Sequence, residues 1–202
     1  MVAPDVLKAL VPVIKEFERL AIPYYIGGSV ASSSYGWPRT TNDVDIIAAV
    51  EERHIRPLMS ALQDAYYIDA EMIREAVQLA SSFNLVHLDS VIKIDVFCAK
   101  TKSYDIETMQ RRRPLPLDEE TPDLQASFAS PEDVILAKLQ WYVKGGCISG
   151  KQWNDILGIL KIQHGKLDGE YLIYWADKLQ LSDLLQKAVR DSESGAAPHS
   201  SE

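Results

Sequence analysis

Residues 26–46 read IGGSVASSSYGWPRTTNDVDI, and two features of this stretch organise the residues around it. The first is the pair Gly27-Gly28 followed at once by Ser29; the second is Asp43-Val44-Asp45, which runs into the apolar Ile46-Ile47-Ala48-Ala49-Val50. Upstream, Tyr24-Tyr25-Ile26 has the aromatic and β-branched character of a short strand. The glycines end that strand, Ser29 is placed to cap a short helix running through Tyr35, and Gly36 and Pro38 close the helix. Residues 44–50 then read as a central strand.

Working outward, Leu7, Leu10, Ile14 and Phe17 recur at helical spacing after Pro4-Asp5, predicting an amphipathic helix that ends near residues 21–23. Residues 51–65, with acids in the first turn, predict the next helix. Strands are expected at 83–87 and 91–98, joined through Asp89-Ser90 as a hairpin. The character changes after a Pro-, Asp- and Glu-rich stretch over 114–123. Ser130-Pro131-Glu132-Asp133 supplies a cap, a proline at the first helical position and acids in the first turn, and further helices are expected at 151–163, 168–178 and 181–190. The predicted fold is α+β: a small mixed β-sheet flanked by helices over 1–128, a C-terminal helical lobe over 129–190 and a loose tail over 191–202.

The chain has 202 residues, 47% of them hydrophobic and 25% charged, enough to bury a sizeable core. Its net charge of −8 excludes a global field that gathers nucleic acid. Cys98 and Cys147 lie far apart without ligand spacing, which argues against a disulfide framework or a structural zinc site. No stretch has the layout of a signal peptide or the roughly 18 apolar residues of a membrane span. The expectation is a cytoplasmic protein with no membrane partner.

Side chains at i and i+2 of a strand share a face, so Asp43 and Asp45 project together while Val44, Ile46 and Ala48 point the other way. Two carboxylates held side by side repel unless a cation sits between them. Asp95 has the same setting: Ile92, Ile94, Val96 and Cys98 form one row of the later strand, with Lys93 and Asp95 in the other. Three hard oxygen donors on neighbouring strands suit Mg²⁺, which keeps several waters and completes its shell with substrate phosphates. Gly27-Gly28 permits close backbone approach, and a helix starting near Ser29 offers N–H groups and a positive dipole end to phosphate. Against this stands a plainer account in which Asp43 ends a turn and Asp45 and Asp95 are solvated edge residues. The glycine turn upstream and the third carboxylate downstream favour the shared site.

Two other motifs compete. Gly27-Gly28-Ser29-Val30-Ala31 approaches a nucleophile elbow, with His87 or His164 as base, but this leaves the carboxylate pair unused. Residues 145–152 approach a phosphate-binding loop, but Gln152 stands where Ser or Thr is needed and the preceding segment is helical, so the glycines read as helix-ending residues.

Ile26-Gly27-Gly28-Ser29, Arg39-Thr40-Thr41-Asn42-Asp43-Val44-Asp45 and Lys93-Ile94-Asp95-Val96 resemble the core signature of the nucleotidyltransferase superfamily to which DNA polymerase beta belongs. A Ser-Pro-Glu-Asp helix carrying Lys138 is similar to that of the small bacterial branch containing toxin-antitoxin components. The resemblance implies a transfer of a nucleoside monophosphate from a nucleoside triphosphate, ATP first, to an acceptor hydroxyl on tRNA, a protein or a small molecule, with pyrophosphate released. It implies that Asp43, Asp45 and Asp95 hold two Mg²⁺ ions, or Mn²⁺ in their place, that Asp95 also takes the acceptor proton, and that Gly27, Gly28 and Ser29 bind the triphosphate. Arg39 and Thr41 match residues preceding the aspartate pair in that branch, and Lys138 and Asp155 resemble its later Lys/Asp pair; Arg39, Thr41 and Lys138 are thus expected near phosphate. For Lys138 and Asp155 a solvated helix face is the plain alternative, as it is for the basic run Arg111-Arg112-Arg113. A second copy or a partner protein is compatible with this branch. The alternative function is a nucleotide-binding or partner-binding member of the same fold that performs no chemistry.

Overall fold

The computed structural model describes residues 3–118 and 121–194. The chain divides into two compact units, Met1–Val30 with Thr40–Ala129, and Ala31–Arg39 with Ser130–Glu202.

The first unit opens with α1 (Pro4–Arg19), whose stripe Val6, Ala9, Leu10, Val13, Ile14 and Phe17 is buried. The elements that follow are β1 (Tyr24–Ile26), the start of α2 (Gly28–Tyr35), β2 (Asp43–Ala48), α3 (Glu52–Leu62), β3 (Tyr66–Tyr67), α4 (Ala70–Leu79), β4 (Ser82–His87) and β5 (Lys93–Cys98). They continue with α5 (Ser103–Arg111), β6 (Arg113–Pro116) and β7 (Gln125–Phe128). The strands form one mixed sheet in the order β3-β4-β5-β2-β1-β7-β6. Pairs β2–β5 and β1–β7 are parallel, and the others antiparallel.

Alternation decides which side of this sheet is core. Val44, Ile46 and Ala48 of β2, Ile94, Val96 and Cys98 of β5, and Phe83 and Leu85 of β4 are all buried, while the residues between them are half-buried or exposed. α4 packs on β4 and β5, α3 packs on α4 and on α1, and the Tyr66 hydroxyl donates to the carbonyl of Ala9 at 2.7 Å. Each Val, Ile, Leu or Phe side chain among these contributes about 1.5–3 kcal/mol on full burial. The opposite row of β2 and β5 carries the charged residues.

The second unit takes the end of α2 together with α6 (Pro131–Lys144), α7 (Gly150–Ile162), α8 (Gly169–Lys178) and α9 (Ser182–Glu193). The Ser130 hydroxyl caps α6, accepting from the Asp133 amide at 3.1 Å and donating to its carboxylate at 2.6 Å. Tyr171 of α8 donates to the same carboxylate at 2.7 Å, and Asp168 caps α8 through the Tyr171 amide at 3.0 Å. Gly36 and Gly158 let backbones meet. A Cβ on Gly36 would stand 2.9 Å from the Ile159 nitrogen, and one on Gly158 would stand 3.0 Å from the Trp37 nitrogen.

The predicted mixed sheet and helical lobe are both present, with four differences. Residues 31–39 group with the helical unit instead of the 1–128 lobe. Ser29 does not precede α2 as a cap but lies in its first turn, because the helix begins at Gly28. β3, α4, α5, β6 and β7 lie where no element is predicted. Asp191–Glu193, expected in the tail, belong to α9, where Trp153 donates from Nε1 to the Asp191 carboxylate at 3.2 Å. Residues 195–202 of that expected tail lie outside the described residues. The P-loop-like stretch forms the connection from α6 to α7 and the first turn of α7, with Gly145 as C-cap of α6 and positive φ at Gly146 and Cys147.

Candidate active site

Strand register brings Asp43, Asp45 and Asp95 to one face. In the parallel pair β2–β5, Asp43 is the Cα partner of Lys93, and Asp45 is the partner of Asp95. Partners in adjacent strands project to the same side, so Asp43, Asp45, Lys93 and Asp95 share the face opposite the core. On the far side of β5, Asn84 of β4 partners Asp95 and extends the row. Thr41 shapes the entry to β2: its hydroxyl donates to the Asp43 carbonyl at 3.0 Å and accepts from the Asp43 amide at 3.3 Å. That use of Thr41 is local; the structure gives its hydroxyl to the backbone of the aspartate strand.

Gly28 completes the arrangement. Its φ is +54°, a left-handed conformation that costs a side-chain-bearing residue about 1–2 kcal/mol. A Cβ on Gly28 would stand 2.6 Å from Cγ and 2.9 Å from Cβ of Asp45, with a carboxylate oxygen nearer still. The absence of a side chain here is therefore the condition for Asp45 to lie over the turn. The Gly27 amide donates to the Asp45 carbonyl at 2.9 Å, tying the same turn to the same residue.

Among the described residues no three His, Cys, Asp or Glu side chains are grouped so as to hold a metal ion. Asp45 lies against Gly28, and the Asp95 carboxylate pairs with the Lys93 ammonium at 2.8 Å. The hydrogen bond that Lys93 donates to Asp95, opposed by desolvation and reinforced by the charges of Asp95, Asp43 and Asp45, raises the pKa of Lys93 above its ordinary value. The face thus already accommodates one positive charge. Its remaining donors are carboxylate oxygens, the chemistry a hard divalent cation requires.

Arg39, Lys138 and Asp155 meet within the second unit. Arg39 grips Asp155 with two nitrogens, Nε to Oδ1 at 3.0 Å and Nη2 to Oδ2 at 3.1 Å. Lys138 Nζ reaches Oδ2 at 2.6 Å. Lys138 and Asp155 are almost wholly buried and Arg39 keeps about a quarter of its side chain exposed. Burial pushes the Asp155 pKa up, but the two cations more than offset it and hold the carboxyl below its ordinary value. The solvated-face alternative for Lys138 and Asp155 is excluded. Both cations are engaged by the carboxylate.

Of the other candidates, His87 is buried beside Tyr66, its Nδ1 2.8 Å from the Ser90 hydroxyl. Arg112 and Arg113 are exposed. Lys93 and Asn84 are absent from the residues expected in the site. The alternation of β5 places Lys93 beside Asp95, but Asn84 enters only through the β4–β5 register.

No protein-family model and no curated protein sequence matches the chain. Solved structures do. An antigenic nucleotidyltransferase-like protein from Paracoccidioides brasiliensis superposes with a TM-score of 0.56 at 19% identity, covering 94% of each chain. The chain has a nucleotidyltransferase fold. The lincosamide antibiotic adenylyltransferase LnuA, in its lincomycin-bound form, matches with a TM-score of 0.52 at 16% identity, over 80% of this chain and 98% of its own. Among the described residues, no helix is long and apolar enough to cross a membrane.

Proposed function

We propose that the protein is a divalent-cation-dependent nucleotidyltransferase, moving a nucleoside monophosphate from a nucleoside triphosphate, ATP first, to an acceptor hydroxyl. The observation that carries this reading is the register Asp45–Asp95 beside a glycine turn whose Gly28 leaves room for the Asp45 carboxylate. Asp43, Asp45 and Asp95 would hold Mg²⁺ or Mn²⁺, which supplies charge neutralisation to the phosphates. The turn at Gly27, Gly28 and Ser29 receives the β- and γ-phosphates on the first N–H groups of α2. Asp95 receives the proton of the acceptor hydroxyl; the bond from acceptor oxygen to α-phosphorus forms, the α–β bridging bond breaks, and pyrophosphate leaves. The work of the chain is positioning and electrostatics, as in phosphoryl transfer generally.

The test supplies each labelled nucleoside triphosphate with Mg²⁺ and cell extract to the wild type and to Asp45→Asn. One nucleotide labels one acceptor, and the variant loses about 10³-fold, the equivalent of about 4 kcal/mol of transition-state stabilisation, with unchanged circular dichroism. Turnover of Asp45→Asn equal to the wild type overturns the assignment.

The Lys93–Asp95 pair favours a second reading, a nucleotide- or partner-binding protein of this fold that performs no chemistry. A thermal shift with ATP that needs no Mg²⁺, together with no pyrophosphate release, distinguishes it.

A further inference from the structure

Lys93 occupies an unusual place in the carboxylate face. Its Cα is paired with that of Asp43 and its ammonium lies 2.8 Å from Asp95, so the cation of this site is supplied by the strand that carries the third carboxylate. The pair is open: the Lys93 side chain is 43% and the Asp95 side chain 23% exposed. Exposed ion pairs gain little net stability and are readily broken. A lysine ammonium is a compact charge on a flexible four-carbon stem, able to leave one partner without disturbing the strand that carries it. A guanidinium locked in a buried fork, like that of Arg39 on Asp155, has no such freedom.

Charge sets the direction of exchange. Asp43 and Asp45 lie on the same face as the Lys93–Asp95 pair. A divalent cation interacts with each carboxylate more strongly than a single positive charge can at the same distance. It must, however, take Asp95 from Lys93 and then tolerate the displaced ammonium nearby.

We propose that Lys93 is a displaceable counter-ion of this site: it holds Asp95 in the nucleotide-free protein and gives it up to a divalent cation, so that cation loading is weak until a triphosphate brings further negative charge. This inference rests on the reading of Asp43, Asp45 and Asp95 as cation ligands. Its consequence is an order of assembly, in which cation and nucleotide enter as a set. Lys93 is on this account a positioning residue, acting through Asp95.

The experiment measures Mn²⁺ binding to the full chain without nucleotide, from the loss of the free-ion electron paramagnetic resonance signal, in the wild type, Lys93→Met, Lys93→Arg and Asp45→Asn. Removing one positive charge next to the bound ion tightens binding in Lys93→Met by about tenfold, while Lys93→Arg stays near the wild type. In the cation-free state Lys93→Met melts about 2–4 °C lower, and Mn²⁺ restores more stability to it than to the wild type. If Lys93→Met fails to fold, Lys93→Gln takes its place. Equal or weaker Mn²⁺ affinity in the charge-removed variant overturns the counter-ion role while leaving the ligand reading intact. No binding to the wild type or to Lys93→Met at millimolar Mn²⁺ overturns both, and binding undiminished in Asp45→Asn shows that the ion sits elsewhere.

Discussion

Gly28→Ala is the sharpest probe of the turn. Its backbone sits at φ +54°, and a left-handed alanine costs about 1–2 kcal/mol. The new Cβ meets Asp45 at 2.6 Å from Cγ and 2.9 Å from Cβ, where ordinary carbon contacts lie at about 3.5–4.0 Å. The carboxylate must withdraw by about 1 Å or more, and an off-rotamer side chain adds about 0.5–1.5 kcal/mol. Together these give a loss near 2–3 kcal/mol, a fall in melting temperature of about 5–10 °C for a chain of this size. Activity falls further, by about 10²-fold, because a displacement of that size at a positioned group is enough. The assay pairs a thermal melt with the labelled-nucleotide transfer reaction. Gly27→Ala is the stability control: its Cβ meets only the end of the Ile47 side chain, at 3.2 Å, and its φ is not positive, so its melt shifts by about 2 °C or less. A Gly28→Ala protein that melts with the Gly27→Ala control and transfers label at the wild-type rate refutes the account of the turn.

Asp155→Asn removes the carboxylate shared by Arg39 and Lys138 and destabilises the protein by about 3–5 kcal/mol in urea unfolding at neutral pH, because a buried ion pair loses its anion. Since the folded pKa of Asp155 is depressed, its contribution is complete above the unfolded carboxylate value of about 3.9 and disappears as pH falls through the lower folded value. The stability gap between wild type and Asp155→Asn therefore closes on acidification below about pH 4; a gap independent of pH contradicts the ion cluster. Gly158→Ala drives a Cβ to 3.0 Å from the Trp37 nitrogen and 3.1 Å from its ring, and thermal unfolding registers a loss of about 1–3 kcal/mol; no loss shows that the close approach is not required.

The mixed sheet and the site face were legible where periodicity is local. Two-residue alternation placed Asp43, Asp45, Lys93 and Asp95 opposite the apolar rows before any pairing was known, and the Ser130-Pro131 cap announced α6. What stayed hidden depends on contacts remote in sequence. β7 has four residues and gains its place by pairing with β1 and β6, and no pattern within residues 125–128 contains that information. Asn84 joins the row only through register. α4 is different: the Asp69 side chain accepts from the Met72 amide at 2.8 Å, a capping signal present in the sequence and not used. The Lys138–Asp155 pair was suggested by resemblance, but the part of Arg39 in it was not, and whether those charges were solvated depended on burial, which spacing along a helix does not decide.

The position of the acidic strands has a consequence for how the carboxylate face assembles. β2 and β5 are neighbours at the middle of the sheet, yet α3, β3, α4 and β4 intervene between them along the chain. Bringing them together closes a long loop, a step whose entropy must be met before the pairing rewards it. The margins are built differently: β3 has two residues, and β6 carries Pro114 and Pro116, which cannot donate to another strand. Fraying should start at those margins, while amides of β2 and β5 exchange with solvent only when the whole unit opens. The intact acidic face then becomes a reporter of cooperative folding, gained in one step when the sheet closes at its centre.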